Sequence, residues 1–379
     1  MPQRSGLTGK GSLIVLGLFL MVLAAGAMLQ LIKTNGPGPS SPQPNATSMP
    51  VLATGFRGFT LQLQSGWEGN PYETYIDQIA AAGANTIAFV VAAYQENGSS
   101  SCMFMDLRRT PSDVRLRELI DRARAKGLNA TLMPIVLLEN GREDEWRGKI
   151  APDDWDLWWK NYSDVVLRYA RIAESCGVAV YIVGSELIST ETQDDRWRGL
   201  IAEVRKVYSG RLAYSANWDH YRPIQWWDAL DIIGMTTYYD LTDGKKPTVE
   251  QLLTAWEPIK SELLAWQGKI NRPILFTEVG WPNQETCAQH PWNYYGSDTP
   301  DPQAQANCFE AFFQTWVGEP VVAGFIIWEW QSYPKQPTGP EDVGYIPAGK
   351  PAMQVITRYL CGGDGPSTSA APAEEAPPS

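Results

Sequence analysis

The sequence predicts a closed (β/α)8 barrel, the TIM-barrel class, over residues 55–361. Three observations carry that expectation. Short apolar, β-branched runs alternate eight times with longer amphipathic ones. The short runs are almost continuously apolar, as in a sheet covered on both faces. No glycine-rich phosphate loop follows the first run, which argues against the runner-up, an open doubly wound sheet that binds nucleotides.

The strands are expected at Phe56–Leu63, Thr86–Tyr94, Asn129–Leu138, Ala179–Leu187, Leu212–Trp218, Ile232–Tyr239, Pro273–Trp281 and Ala323–Trp330. Helical periodicity falls at Pro71–Ala82, Pro111–Lys126, Pro152–Cys176, Asp194–Tyr208, Val249–Gln267, Pro302–Val317 and Pro351–Leu360. Several of these open with proline, which suits a first helical turn because its missing N–H needs no partner there. Only the stretch after the fifth strand, Pro223–Leu230, is too short for a full helix.

The two ends read differently. Residues 1–33 combine Arg4 and Lys10 with an apolar run from Ser12 to Ile32. About 20 such residues span a bilayer as a helix. The segment is expected to be a signal anchor, or a signal peptide cut near Ala25-Gly26-Ala27. Either way the positive flank stays inside and the rest of the chain is exported, to the cell envelope or beyond. Residues 34–54 are a Pro/Ser-rich linker, and 362–379 form a Pro, Ala, Ser and Glu tail expected to be disordered.

The net charge is −11, which disfavours nucleic acid and anionic membrane surfaces as partners. There are 16 Trp and 16 Tyr against 10 Phe, a bias toward rings that pair a flat apolar face with a hydrogen-bonding edge. A sugar ring offers the matching surface, an apolar C–H face and a hydroxyl rim. The two histidines, His220 and His290, lack ligand partners at useful spacing, and no CxxC or HExxH string occurs, so neither a metal nor a cofactor is expected. Five cysteines leave at least one unpaired. Cys287 and Cys308 flank one long loop and are the candidate bridge, with buried free thiols as the other possibility.

In such a barrel the chemistry sits at the C-terminal ends of the strands. The fourth ends Val183-Gly184-Ser185-Glu186, and the seventh ends Thr277-Glu278-Val279-Gly280-Trp281. Aromatic or polar groups end the fifth (Asn217, Trp218), the sixth (Tyr238) and the eighth (Trp328-Glu329-Trp330). Burying a lone charge is costly, and two carboxylates at short range split their pKa values. One can then hold a proton while the other is ionised, which is what a retaining glycosidase requires. Trp218, Tyr238, Trp281, Trp328 and Trp330 are the candidate sugar platforms. Glu329, between two tryptophans, either joins the site or points away.

These residues resemble clan A glycoside hydrolases, and within them glycoside hydrolase family 113, whose characterised members are β-mannanases. The resembling stretches are Trp155–Tyr169 leading into Val183–Leu187, then Ile232–Tyr239, Phe276–Trp281 and Gly344–Ala352. The resemblance implies a retaining hydrolase of a β-linked polysaccharide or oligosaccharide, mannan-type. It assigns Glu186 as general acid/base, Glu278 as nucleophile, Tyr238 as the donor to the nucleophile, and Trp328 as the platform under the sugar being cleaved. Many clan members carry Asn directly before the acid/base. Here that position is Ser185, which is shorter, so the sugar 2-hydroxyl contact is expected from Asn217 or another group. Two readings from other classes compete: an inactive carbohydrate-binding barrel, and a structural barrel of the envelope. The second requires a mouth without convergent polar groups. A serine hydrolase is disfavoured, since Gly184-Ser185-Glu186 lacks the second glycine of a nucleophile elbow.

Overall fold

A computed structural model describes residues 55–331, 336 and 338–361. The anchor or signal segment, the linker and the tail expected at the ends lie outside these residues. No helix among the described residues is long and apolar enough to cross a membrane.

Eight parallel strands close into one barrel in chain order: β1 (Phe56–Gln62), β2 (Thr86–Gln95), β3 (Asn129–Leu138), β4 (Val180–Ser185), β5 (Arg211–Ala216), β6 (Ile232–Thr236), β7 (Ile274–Val279) and β8 (Val322–Ile327). β1 pairs with both β2 and β8, so no edge is left unpaired. Among the described residues seven α-helices surround them: α1 (Tyr72–Ala81), α2 (Asp113–Ala125), α3 (Trp155–Ser175), α4 (Asp194–Arg205), α5 (Val249–Ile270), α6 (Pro302–Trp316) and α7 (Pro351–Leu360). Their starts are capped by side-chain oxygens. Ser112, Asp154 and Asp301 each accept from the backbone three residues on, and Thr248 with Gln251 forms a reciprocal box.

The short stretch after β5 forms only a 3-10 turn, Trp227–Ala229. Aromatic packing fills the place of the absent helix. Trp226 stacks on Trp197 at 4.6 Å and meets Tyr214 edge-on at 5.0 Å.

Two apolar layers result. Alternate strand residues such as Val90, Met133, Ile182, Leu275 and Ile326 fill the barrel interior. The others, with the inner faces of the helices, form the larger layer outside it. β6, β7 and β8 stop two or three residues before the expected ends at Tyr239, Trp281 and Trp330. The cause is local: Tyr239 already bonds back to the Thr237 carbonyl at 2.9 Å, and β7 breaks register with both neighbours. Tyr238, Trp281, Trp328 and Trp330 therefore lie where the ladder has ended, while Glu278 stays within β7.

Candidate active site

Glu186 follows β4 directly. The register between β4 and β5 shifts between Ile182 and Ser185, and a bulge of this kind re-aims the residues after it. Gly184 lies against the outer layer, where an added Cβ would come within 2.4 Å of the Tyr162 hydroxyl. That hydroxyl donates to the Val183 carbonyl at 2.7 Å and fixes the strand end. Glu186 itself has a φ of 52°, the left-handed region that non-glycine residues avoid. Its N–H is held by the Ser215 carbonyl at 2.9 Å, and the residue is buried. Such strain persists only where the surroundings over-determine it, and it clusters at functional sites.

Glu278 lies within β7, between register shifts toward both β6 and β8. The Tyr238 hydroxyl donates to Glu278 Oε2 at 2.9 Å, and the other carboxyl oxygen, Oε1, is buried without a protein partner. Burial, and then the charge of Glu186, push the Glu278 carboxyl up to about 8, against the pull of Arg147 and of the Tyr238 hydrogen bond. The expected contact with Tyr238 is present. The expected ionisation is opposed, because desolvation outweighs one phenol donor.

Sequence reasoning missed Arg147. It sits in the 3-10 turn Arg147–Lys149 after β3, about four-fifths buried, and its guanidinium pairs with Glu186 Oε2. Burial opposes its charge, but the nearby Glu186 and Glu278 carboxylates more than offset this. The loop that delivers it is fastened by Glu145, which accepts from Gly98 N at 3.0 Å and pairs with Arg142 at 2.8 Å. The only cue in the sequence was a buried-type Trp146-Arg147-Gly148 string inside an otherwise acidic loop. Glu329 also belongs to the mouth. It accepts from Gln62 Nε2, Gln62 Oε1 accepts from Gln64 Nε2 at 2.7 Å, and burial raises the Glu329 carboxyl to about 7. Tyr345 adds a ring 6.1 Å from that of Tyr238.

The aromatic candidates divide. Trp328 is half-buried and rests on the barrel's inner plug. Trp218 is half-buried, edge-on to Tyr239 at 5.1 Å. Trp281 and Trp330 are not in the site. Trp281 is fully buried against Phe309 and Phe312 of α6, and Trp330 is buried against Phe59 at 4.8 Å. Both lie just past their strand ends, but they turn outward into the helix layer, where large rings bury more apolar area than they would in the mouth. Ser185 is buried, and its hydroxyl has no protein partner. Asn217 is half-buried, donating to Asp219 at 2.7 Å and accepting from Thr236 at 3.4 Å, so its amide is already engaged. Among the described residues no cluster of three His, Cys, Asp or Glu could hold a metal ion. The Cys287 and Cys308 sulfurs lie 3.6 Å apart in a hydrogen bond, without a disulfide.

The glycoside hydrolase family 113 model matches residues 58–350. A solved GH113 β-1,4-mannanase superimposes with a TM-score of 0.72 at 27% identity, covering 81% of this chain and 98% of that one. The GH113 β-mannanase of Alicyclobacillus acidocaldarius, in complex with ManMIm, gives a TM-score of 0.72 at 28% identity, covering 81% of this chain and 97% of that one. No curated protein matches the sequence. With more than half of the chain matched by the family model, over the same residues that build the barrel and its paired carboxylates, the protein belongs to glycoside hydrolase family 113 and is an O-glycosyl hydrolase.

Proposed function

We propose that the protein is a retaining endo-β-mannanase that cleaves β-1,4-linked mannan-type chains by double displacement. The observation that carries this reading is the Tyr238–Glu278 hydrogen bond at 2.9 Å, in a mouth where Glu278 also feels the charge of Glu186. The solved relatives at 27% and 28% identity are β-mannanases, and they supply the substrate class. The convergence of Glu186, Glu278, Glu329 and Arg147 argues against a purely structural barrel.

In the first step Glu186 gives its proton to the glycosidic oxygen, while the ionised Glu278 attacks the anomeric carbon. The bond to the leaving sugar breaks and a glycosyl ester forms on Glu278. Glu186 then takes a proton from water, the hydroxide adds to the anomeric carbon, and the ester bond returns its electrons to Glu278. Trp328 stacks under the sugar at the cleaved bond, where apolar C–H contact is not contested by water. Residues 1–33 direct export, so the barrel acts outside the cytoplasm, held by a single membrane segment or released by cleavage.

The test is hydrolysis of mannan, glucomannan, xylan, β-glucan and chitin oligomers by the purified protein beside Glu278→Ala. Mannan-type substrates should be cleaved with a first-formed product of retained anomeric configuration, read by NMR. Inversion, or wild-type turnover by Glu278→Ala, removes the mechanism. Membrane fractionation with protease accessibility of the barrel tests export.

A further inference from the structure

Nine large apolar side chains are exposed among the described residues, and three of them lie within four positions of one loop: Trp292, Tyr294 and Tyr295. This segment joins β7 to α6. Tyr295 is 82% exposed, and its ring lies 4.3 Å from that of Tyr294. An apolar cluster of this kind in water marks a binding surface more often than chance.

The loop is not a loose flap. His290 meets Asp240 at 3.1 Å, which ties it to the segment just beyond Tyr238. The Tyr345 hydroxyl donates to the Pro291 carbonyl, and Gln284 Nε2 donates to the Tyr294 carbonyl at 2.8 Å. The rings also run outward in contact order from the paired carboxylates. Tyr238, bonded to Glu278, lies 6.1 Å from Tyr345, which lies 6.5 Å from Tyr294. Beside them is a hollow of about 90 Å³ lined by Thr286, Gln289, His290, Asn293 and Gly296. Its lining is hydroxyl, amide and imidazole, without a lysine, arginine or carboxylate. That chemistry suits an uncharged ligand rich in hydroxyl groups.

We propose that the loop joining β7 to α6 is a second carbohydrate-binding surface, on which Trp292, Tyr294 and Tyr295 stack further sugar units of the neutral β-linked chain whose scissile bond lies at Glu278. The occupant follows from continuity. Tyr294 and Tyr295 are linked ring by ring to the candidate active site, Trp292 lies 5.6 Å from the His290 ring on the same loop, and the adjoining hollow offers hydrogen-bonding partners for sugar hydroxyls. Flat rings held by a fastened loop lose little freedom on binding, so each stacked sugar adds affinity at small entropic cost. The inference rests on the glycoside hydrolase reading of the mouth.

The test uses the full-length protein in detergent with two independent readouts. The first is retardation of Glu278→Gln by glucomannan cast in a native gel. Adding Trp292→Ala and Tyr295→Ala should reduce retardation about tenfold, a typical loss for aromatic anchors. Trp292→Phe and Tyr295→Phe, which keep a ring, should retain most of it. The second readout is the ratio of KM on soluble glucomannan to KM on a short aryl β-mannoside, which the Ala pair should raise about tenfold. Unchanged retardation with an unchanged ratio overturns the inference. So does a wild-type loop that no β-linked polysaccharide retards. Absence of glycosidase activity with retardation present and ring-dependent overturns the proposed mannanase and leaves the surface standing.

Discussion

Arg147 pairs with Glu186, the carboxylate assigned as the acid, while Tyr238 bonds Glu278, the carboxylate assigned as the nucleophile. The proposed double displacement needs one proton on the two carboxyls, and burial holds a proton at Glu278 up to about pH 8, so kcat/KM should fall above about pH 8.

Arg147 lowers the Glu278 carboxyl through its charge. Arg147→Met should therefore move the basic limb of the pH–rate profile above pH 8. Arg147→Lys, which keeps the charge, should leave the limb in place while reducing kcat by on the order of 10²-fold through lost geometry. A limb that stays at pH 8 in Arg147→Met would remove Arg147 from the proton balance.

The same raised carboxyl makes a stability claim. Burial holds Glu278 near 8 in the folded protein, well above its ordinary value of 4.5, so the folded state binds the extra proton between those limits. Stability is then lost as pH rises through that window, at on the order of 1 kcal/mol per pH unit. Glu278→Gln carries no titrating group. Its stability relative to wild type should grow from pH 5 to pH 8 in urea melts, while turnover is abolished. A pH-independent difference would mean that burial does not hold the proton there.

Glu186 gives a test of backbone strain that cancels the lost carboxylate. Its φ of 52° is costly for any residue with a Cβ. Glu186→Gly and Glu186→Ala both remove the acid and both leave Arg147 without its partner. Glycine should nonetheless be the more stable by about 1 kcal/mol, the reverse of its usual rank against alanine. Equal midpoints would place Glu186 in an ordinary conformation. On an activated aryl glycoside, azide should partly rescue both variants.

Period and composition made the barrel legible. Near-continuous runs such as Thr86–Tyr94 can only be buried strands, and proline at Pro302 and Pro351 marks helix starts that the structure repeats. The same logic located Glu186 and Glu278, since both stand at ends of apolar strands. It could not locate Arg147, because a loop has no period and its side chain reaches the mouth through contacts distant in sequence. It also misplaced Trp281 and Trp330. Past the end of the ladder the alternation of sides stops, and which way a large ring turns is settled by the neighbours available. For Trp281 these are Phe309 and Phe312 on α6, which is not adjacent to it in sequence.

That division can be read out with two tryptophans. Trp281 is wholly enclosed, and its backbone carbonyl also accepts from Gln305 at 2.8 Å, so it belongs to the contact between β7 and α6. Trp328 is half-buried on the inner plug at the mouth. Trp281→Ala should cost about 3–5 kcal/mol of stability, as large-to-small changes in packed cores do, while KM for mannan oligomers measured well below its melting temperature moves little. Trp328→Ala leaves no enclosed cavity of that size. It should cost less stability but raise KM on oligosaccharides by about tenfold or more, because the sugar loses the ring proposed to stack on it. Denaturant midpoints and KM values of the two variants, measured side by side, decide the matter. A large KM effect from Trp281→Ala with stability intact would return that residue to the site. An unchanged KM in Trp328→Ala would leave the cleaved sugar without the platform proposed for it.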